Sequence, residues 1–268
     1  MNPVFLPVGV WIVLTIFFFI CTEIGHRYGI WRFKFDPETS GLATVDSAVF
    51  ALVGLLLAFS LSSAQDRFQN RRTVIVKEAN CISTAFLRTD LIPSQFQFQL
   101  RQEFGKYVDS RITATGHLPN IEEAQKEWVK SHLLGRKIWD LAVEGTNGSG
   151  HADRNLVLDS INSMLDVATE REVAVLTHIP TPIFVFQGFL TAIAAMFAGR
   201  STAKQGKKPN MHRLLFSVIF ATLITILVDL ENPRIGWIQL TTGDTVMREL
   251  QQTIHEGLVT SPRTTIER

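Results

Sequence analysis

The sequence predicts an all-α integral membrane protein with four transmembrane helices and a helical extramembrane insert between helices two and three. Three observations support this fold class. Of the 268 residues, 46% are hydrophobic, and the mean hydropathy is +0.16, which is high for a soluble protein. Four apolar runs approach the roughly 20 residues that cross a hydrocarbon core. Charged residues recur throughout the segment between the second and third runs.

The four apolar runs are residues 4–21, 45–63, 173–198 and 214–228. The fourth run is short, but Met211 and Leu230 extend it. A polar hairpin at residues 199–213 separates the third and fourth runs, so those two helices are expected to be antiparallel neighbours. Pro180 and Pro182 stand near the start of the third run, where a kink or a break is expected.

The insert has helical periodicity. Apolar side chains from Phe68 to Phe86 recur at three-, four- and seven-residue spacings, which predicts an amphipathic helix that continues the second span without interruption. Ser94 with Gln97, and Asn120 with Glu123, have the spacing of capping boxes and predict two further helix starts. A loop is expected at residues 146–150, and the last insert helix is expected to run into the third span.

These elements define four segments along the chain. They are residues 1–64 with transmembrane helices one and two, 65–172 with the helical insert, 173–230 with transmembrane helices three and four, and 231–268 with a polar tail carrying a short helix. The positive-inside rule leaves the orientation open, because lysines and arginines near the membrane are equally numerous on the two sides.

Motifs for chemistry are missing from the sequence. It contains no GxSxG, no phosphate-binding loop and no HExxH or Cys/His cluster, so no catalytic, cofactor-binding or metal-binding residue is expected. Cys21 and Cys81 are interpreted as buried thiols. The net charge of +1 predicts no binding to nucleic acid.

The second span suggests a pore. Residues Ser47 and Gly54 belong to a stripe of small and polar side chains, and Phe50, Leu57 and Leu61 have the size to form a constriction. All five are candidate pore-lining residues. The alternative is that the small residues allow close helix packing and that the large ones contact lipid or the bundle core.

A structural polar network is expected where the second span meets the insert and after the fourth span. Its candidate members are Arg71, Arg72, Glu78, Asn80, Arg88, Asp90, Asp229, Pro233 and Gly236. Arg71 with Glu78, or Glu78 and Asn80 with a partner on a neighbouring helix, would form its centre. The alternative is a solvated face in contact with water and headgroups.

Several short motifs occur together in a characteristic order. They are residues 54–60 (GLLLAFS), 71–72 (RR), 78–80 (EAN), 87–93 (LRTDLIP), 107–111 (YVDSR) and 229–236 (DLENPRIG). In this combination the chain resembles the bestrophin-like family of membrane proteins of unknown function, which is distantly similar to the bestrophin anion channels.

The resemblance implies an oligomeric anion channel with four spans, a helical domain after the second span, and the insert and both termini in the cytosol of a bacterial inner membrane. It also implies that the second span lines a central pore and that residues 229–236 pack against the insert. Bestrophins carry a dense acidic cluster after the fourth span that binds calcium. Here only Asp229, Glu231 and Asp244 are available, so no calcium site is expected.

Two functions are therefore considered. The first is a homo-oligomeric channel for small anions embedded in the lipid bilayer. The second is a membrane-anchored interaction or sensory module, in which the insert binds a partner and the spans only anchor and oligomerise the protein. An enzymatic function is not expected.

Overall fold

The structure, a computed structural model, describes residues 5–33, 42–203 and 210–260. In these ranges the chain forms eight α-helices and one 3₁₀ turn, which confirms the all-α class. They are α1 (Phe5–Phe33), α2 (Leu42–Leu87), the 3₁₀ turn (Arg88–Leu91), α3 (Ser94–His117), α4 (Ile121–Gly145), α5 (His151–Leu176), α6 (Thr181–Ala203), α7 (Asn210–Glu231) and α8 (Thr241–Thr260).

Four helical stretches are long and apolar enough to cross a membrane. They correspond to α1, the first part of α2, α6 and α7, as the four apolar runs predict. Part of the predicted polar hairpin falls outside the described residues, which stop at Ala203 and resume at Asn210.

Helix α2 continues past its membrane-spanning part into the insert, as predicted. Helix α2 contains 46 residues, which corresponds to about 69 Å at the usual rise per residue. After Gly54 the sequence has no glycine or proline before Pro93, so nothing interrupts the helical hydrogen bonds. The chain divides into two compact units, and α2 runs from the first (residues 1–68 and 178–239) into the second (69–177 and 240–268).

The last helix of the insert does not run continuously into the third span, so that prediction is wrong, whereas the break expected near Pro180 and Pro182 is confirmed. Helix α5 ends at Leu176, and α6 begins at Thr181 after four non-helical residues. Pro180 lacks the backbone donor that a continuous helix would need there, whereas Pro182 falls in the first turn of α6, where a proline is tolerated. The third span is therefore α6 alone.

In the membrane unit, α1 and α6 cross with their backbones in close contact. A Cβ atom on Gly25 would lie 1.9 Å from the carbonyl oxygen of Met196, and one on Gly199 would lie 1.9 Å from that of Thr22. Gly29 faces Ala203 in the same way, at 2.8 Å. Small residues at four-residue spacing allow this approach, which is a common packing mode for membrane helices.

The second unit is a helical bundle with an apolar core. Leu100, Phe104 and Val108 of α3 and Ile161 and Met164 of α5 are almost completely buried. The tail contains a helix as expected, but α8 is a full 20 residues long.

Helix α8 packs on α3. A Cβ atom on Gly105 of α3 would lie 3.2 Å from the Leu258 side chain of α8. The Gln251 side chain of α8 also donates a hydrogen bond to the Asp109 carboxylate of α3.

The two predicted capping boxes have different outcomes. Ser94 is the first residue of α3 and makes no capping bond, and Gln97 instead donates to the carbonyl oxygen of Ile92. Pro93 occupies the cap position, so the prediction for Ser94 is wrong. Asn120 does cap α4, because its side chain accepts a hydrogen bond from the backbone N–H of Glu123.

The close crossing of α1 and α6 leads to a first prediction. Gly199→Ala should lower the stability of the protein in detergent by about 1–3 kcal/mol, because the new methyl group overlaps the α1 backbone. Gly188→Ala in the same helix is the matched control, since no atom of the described residues lies within 4 Å of its Cβ position. Thermal unfolding measures both, and equal melting temperatures for the two variants would contradict the observed crossing.

Candidate functional site

The five pore-lining candidates follow one side of α2 at three- and four-residue steps, but their own bundle covers only some of them. Leu57 is 6% exposed and packs with Val53 of α2 and Ala194 of α6. Phe50 makes an edge-to-face contact with Phe216 of α7, with ring centroids 6.1 Å apart. These large side chains therefore face the interior of their own bundle.

Leu61 lies on this inner side too. It is half-buried and packs against the cluster that contains Ala64, Ile179 and Leu227. Ser47 and Gly54 lie at the edge of that side, three residues from Phe50 and Leu57, and are exposed. A Cβ atom on Gly54 would meet no atom within 4 Å, so no other part of the chain that the structure describes covers the helix at that point.

The uncovered side of α2 has two adjacent strips. The first is the predicted stripe of small and polar residues, whose exposed members include Ala51, Gly54, Ala58 and Ser62. The second consists of large apolar side chains at three- and four-residue steps. Its members are Leu52, Leu55 and Phe59, which are 45%, 53% and 63% exposed.

Sequence reasoning missed the second strip. Its spacing was visible, but the large apolar residues of α2 occur all around the helix. Only the positions of α6 and α7 reveal which of them the bundle covers.

In the second unit, Glu78 is the centre of a cluster of buried ion pairs. The Glu78 carboxylate is completely buried and accepts hydrogen bonds from two guanidinium groups, at 2.7 Å from Arg111 and 2.5 Å from Arg171. Arg111 also pairs with Glu172. Neither arginine was among the predicted members, because their charges occur among many others at helical spacing.

The network has strong electrostatic effects. Burial raises the pKa of Glu78, but the charges and hydrogen bonds of Arg171 and Arg111 more than offset it, so the pKa lies below its ordinary value. Burial raises the pKa of Tyr107, which lies near the same charges. Among the described residues, the Tyr107 hydroxyl has no hydrogen-bond partner.

The other predicted members around the insert have separate roles. Arg71 is buried and donates to the carbonyl oxygens of Ala174 and Thr177, where α5 ends. A cation at a helix C-terminus is favourable because the last carbonyl groups have no helical partner. Arg88 donates to the carbonyl oxygen of Leu156.

The remaining three members of this group lie at the surface. Asp90 pairs with Arg101, and Arg72 and Asn80 are exposed in a groove of the second unit. The structure therefore distributes the predicted residues among several local contacts instead of one network.

The residues after the fourth span form a tight turn in the membrane unit. The Asp229 carboxylate accepts hydrogen bonds from the backbone N–H groups of Trp237 at 3.0 Å and Ile238 at 2.9 Å. A Cβ atom on Gly236 would lie 1.5 Å from the Asp229 carboxylate, so only glycine fits there. Pro233 is buried in the same turn.

A second carboxylate near this turn was not predicted as a site residue. Glu231 is 2% exposed and accepts a hydrogen bond from Arg67 at 2.7 Å. It also accepts from the backbone N–H of Ile179 at 3.3 Å. No three of the described His, Cys, Asp and Glu residues come together as a metal site would require.

The buried Glu78 leads to a second prediction. Glu78→Gln should cost about 3–5 kcal/mol, because it removes the buried counter-charge of Arg171 and one of the two carboxylates that pair with Arg111. Since the pKa of Glu78 is lowered by folding, its contribution is present above the ordinary value of 4.5 and is lost as the pH falls through the native pKa. The wild-type insert should thus lose more stability in acid than the variant does.

Amide hydrogen exchange in α3 and α5 measures this effect, with exposed Glu122→Gln as the control. If amide protection decreased by the same amount in acid in the wild type and in Glu78→Gln, the predicted role of the Glu78 charge would be contradicted.

The protein is similar to solved structures and to a known protein family. The structure is similar to a bacterial bestrophin homolog from Klebsiella pneumoniae, with a TM-score of 0.68 and 12% identity over 95% of this chain and 99% of that chain. A single-residue variant of a bestrophin homolog from the same organism gives a TM-score of 0.66 and 13% identity, covering 90% of this chain and 98% of that chain. At sequence identities this low, the structural similarity shows the fold alone.

No curated protein matches the sequence. The bestrophin-like domain, however, matches residues 10–243, which is most of the chain. This protein is therefore an integral membrane protein that belongs to the bestrophin-like family.

Proposed function

We propose that the protein is a homo-oligomeric channel for small anions, in which the uncovered side of α2 lines the path. Membership of the bestrophin-like family supports a channel, and the Klebsiella pneumoniae protein is called a bestrophin homolog. The observation that carries the proposal is the composition of that uncovered side. One membrane helix presents two adjacent strips, one small and polar and one large and apolar, away from its own bundle.

A ring of subunits explains both strips. The small strip allows the α2 helix of a neighbouring subunit to approach closely, because packing replaces the hydrophobic effect between helices in lipid. The adjacent strip of Leu52, Leu55 and Phe59 then faces the axis of the ring. Large apolar side chains around a narrow path act as a constriction that controls the passage of ions.

The charge pattern does not provide the acidic ring of a cation channel. Cation channels commonly place rings of Asp or Glu in their path. Between Ser47 and Gln65 the sequence of α2 contains no ionisable residue, and Asp46 at the start of the span pairs with Arg200. The proposal also places the insert and both termini in the cytosol of a bacterial inner membrane.

Reconstitution tests the proposal directly. The purified protein should form a symmetric oligomer in detergent, as measured by its mass, and should release chloride from liposomes. The reversal potential in a sodium chloride gradient should lie close to the equilibrium potential of chloride. A monomer that passes no current would favour the membrane-anchored interaction module, and a potential on the sodium side would contradict anion selectivity.

Two phenylalanines of α2 provide a matched pair of variants. Phe59→Ala should increase the chloride flux several-fold, because it widens the proposed constriction and leaves the subunit core intact. Phe50→Ala should instead lower the melting temperature, since Phe50 packs on Phe216, at a cost of about 3–5 kcal/mol. Flux and melting temperature are measured for both, and a larger flux for Phe50→Ala alone would place the path on the other side of α2.

A further inference from the structure

A narrow apolar groove lies between α1 and α7 in the membrane unit. Its volume is about 300 Å³, at the lower end of the range of roughly 300–1,000 Å³ that is usual for small-molecule sites. Two of its lining residues belong to α1, three belong to α7, and the last belongs to the turn after α7. They are Val8, Trp11, Thr222, Thr225, Ile226 and Trp237.

The polar groups in the helical walls of this α1–α7 groove are already bonded. The Trp11 indole N–H donates to the Thr222 hydroxyl at 2.9 Å, and that hydroxyl donates to the carbonyl oxygen of Val218. The Thr225 hydroxyl donates to the carbonyl oxygen of Ala221 at 2.7 Å. Burying a polar ligand group without a hydrogen bond is costly, so these walls favour an apolar ligand.

The groove lies apart from the proposed ion path. Helices α1 and α2 each pack on α6 and α7, and among the described residues none from α2 lines the groove. Ile12 follows Val8 by one turn of α1, and Ile219 precedes Thr222 by nearly one turn of α7. These two isoleucines are 45% and 48% exposed. The groove therefore opens on an apolar surface within the membrane-spanning part of the chain, where lipid is the solvent.

The length of the groove matches one leaflet of the bilayer. Thr222 precedes the end of α7 at Glu231 by nine residues, or about 14 Å of helix. Each leaflet supplies about half of a hydrocarbon core that is about 30 Å thick. We propose that the α1–α7 groove binds one acyl chain of a membrane phospholipid, with the headgroup end of the chain towards Trp237.

The turn after the fourth span positions Trp237 at the headgroup end of the groove. The backbone N–H of Trp237 donates to the Asp229 carboxylate at 3.0 Å, and Gly236 leaves room for that carboxylate. The Trp237 side chain is 53% exposed. Tryptophan combines a large apolar surface with one N–H donor, which suits the boundary between hydrocarbon and headgroups. The turn thus fixes the aromatic residue that holds the lipid chain in place.

Native mass spectrometry of the full-length protein in detergent tests this binding. After delipidation, added dioleoylphosphatidylcholine should bind in a saturable manner, with one tightly held lipid per subunit. Dihexanoylphosphatidylcholine has the same headgroup but short chains, and it should bind at least about tenfold more weakly because it buries less apolar surface. Equal binding of the two lipids would show recognition of the headgroup and would overturn the proposal.

Two substitutions in the groove have matched controls. Val8→Trp should fill the groove and lower lipid binding by about tenfold or more, because the chain loses buried apolar surface. Ile12→Trp, on the exposed side of α1, should leave binding unchanged. Trp237→Ala should also lower binding, whereas Trp31→Ala at the other end of α1, where the side chain is 59% exposed, should not. Lipid binding by Val8→Trp equal to that of the wild type would overturn the proposal.

A second copy of the chain is the competing occupant of the groove. If Val8→Trp dissociated the oligomer and left lipid binding unchanged, the groove would be a contact between subunits and the proposal would be overturned. Melting temperatures of the variants show whether each one is folded. Lipid is counted without any ion flux, so a failure of this proposal would be separate from a failure of the proposed channel.

Discussion

The structure of the membrane unit depends on the absence of water from the hydrocarbon core. Every backbone polar group there must bond within the protein, which requires helices and makes each exposed charge costly. The unit places its charges near the ends of the spans and pairs them between helices. Asp46 of α2 pairs with Arg200 of α6, and Glu23 of α1 pairs with Arg213 of α7. These two pairs join the spans two by two, α2 with α6 and α1 with α7.

Helix α2 is the element on which the proposed channel depends, and each unit fixes its rotation independently. In the membrane unit, Val53 and Leu57 are buried against α6, which leaves the two strips uncovered. In the second unit, Glu78 is buried between Arg111 and Arg171. A buried carboxylate with two fixed partners allows little rotation, because any other orientation would leave charges unpaired.

The sequence predicts the fold well because its strongest signals are physical requirements. Apolar runs predict all four spans, and the helical periodicity from Phe68 to Phe86 predicts that α2 continues past its span. The candidate site was harder to predict. Periodicity shows that α2 has faces but not which face its neighbours cover, so Phe50 and Leu57 were grouped with Gly54. The partners of Glu78 were missed for the same reason, since pairs between helices depend on packing that one sequence does not reveal.

The break between α5 and α6 also follows from the need to satisfy backbone polar groups. A helix that ends leaves its last carbonyl oxygens without partners, and the next helix begins with free N–H groups. Arg71 donates to the carbonyl oxygens of Ala174 and Thr177, and Glu231 accepts from the N–H of Ile179. The signs of these charges match the helix dipoles, with a cation at the end of α5 and an anion just before α6. Pro180 prevents a continuous helix, and the two charged side chains stabilise the break that results.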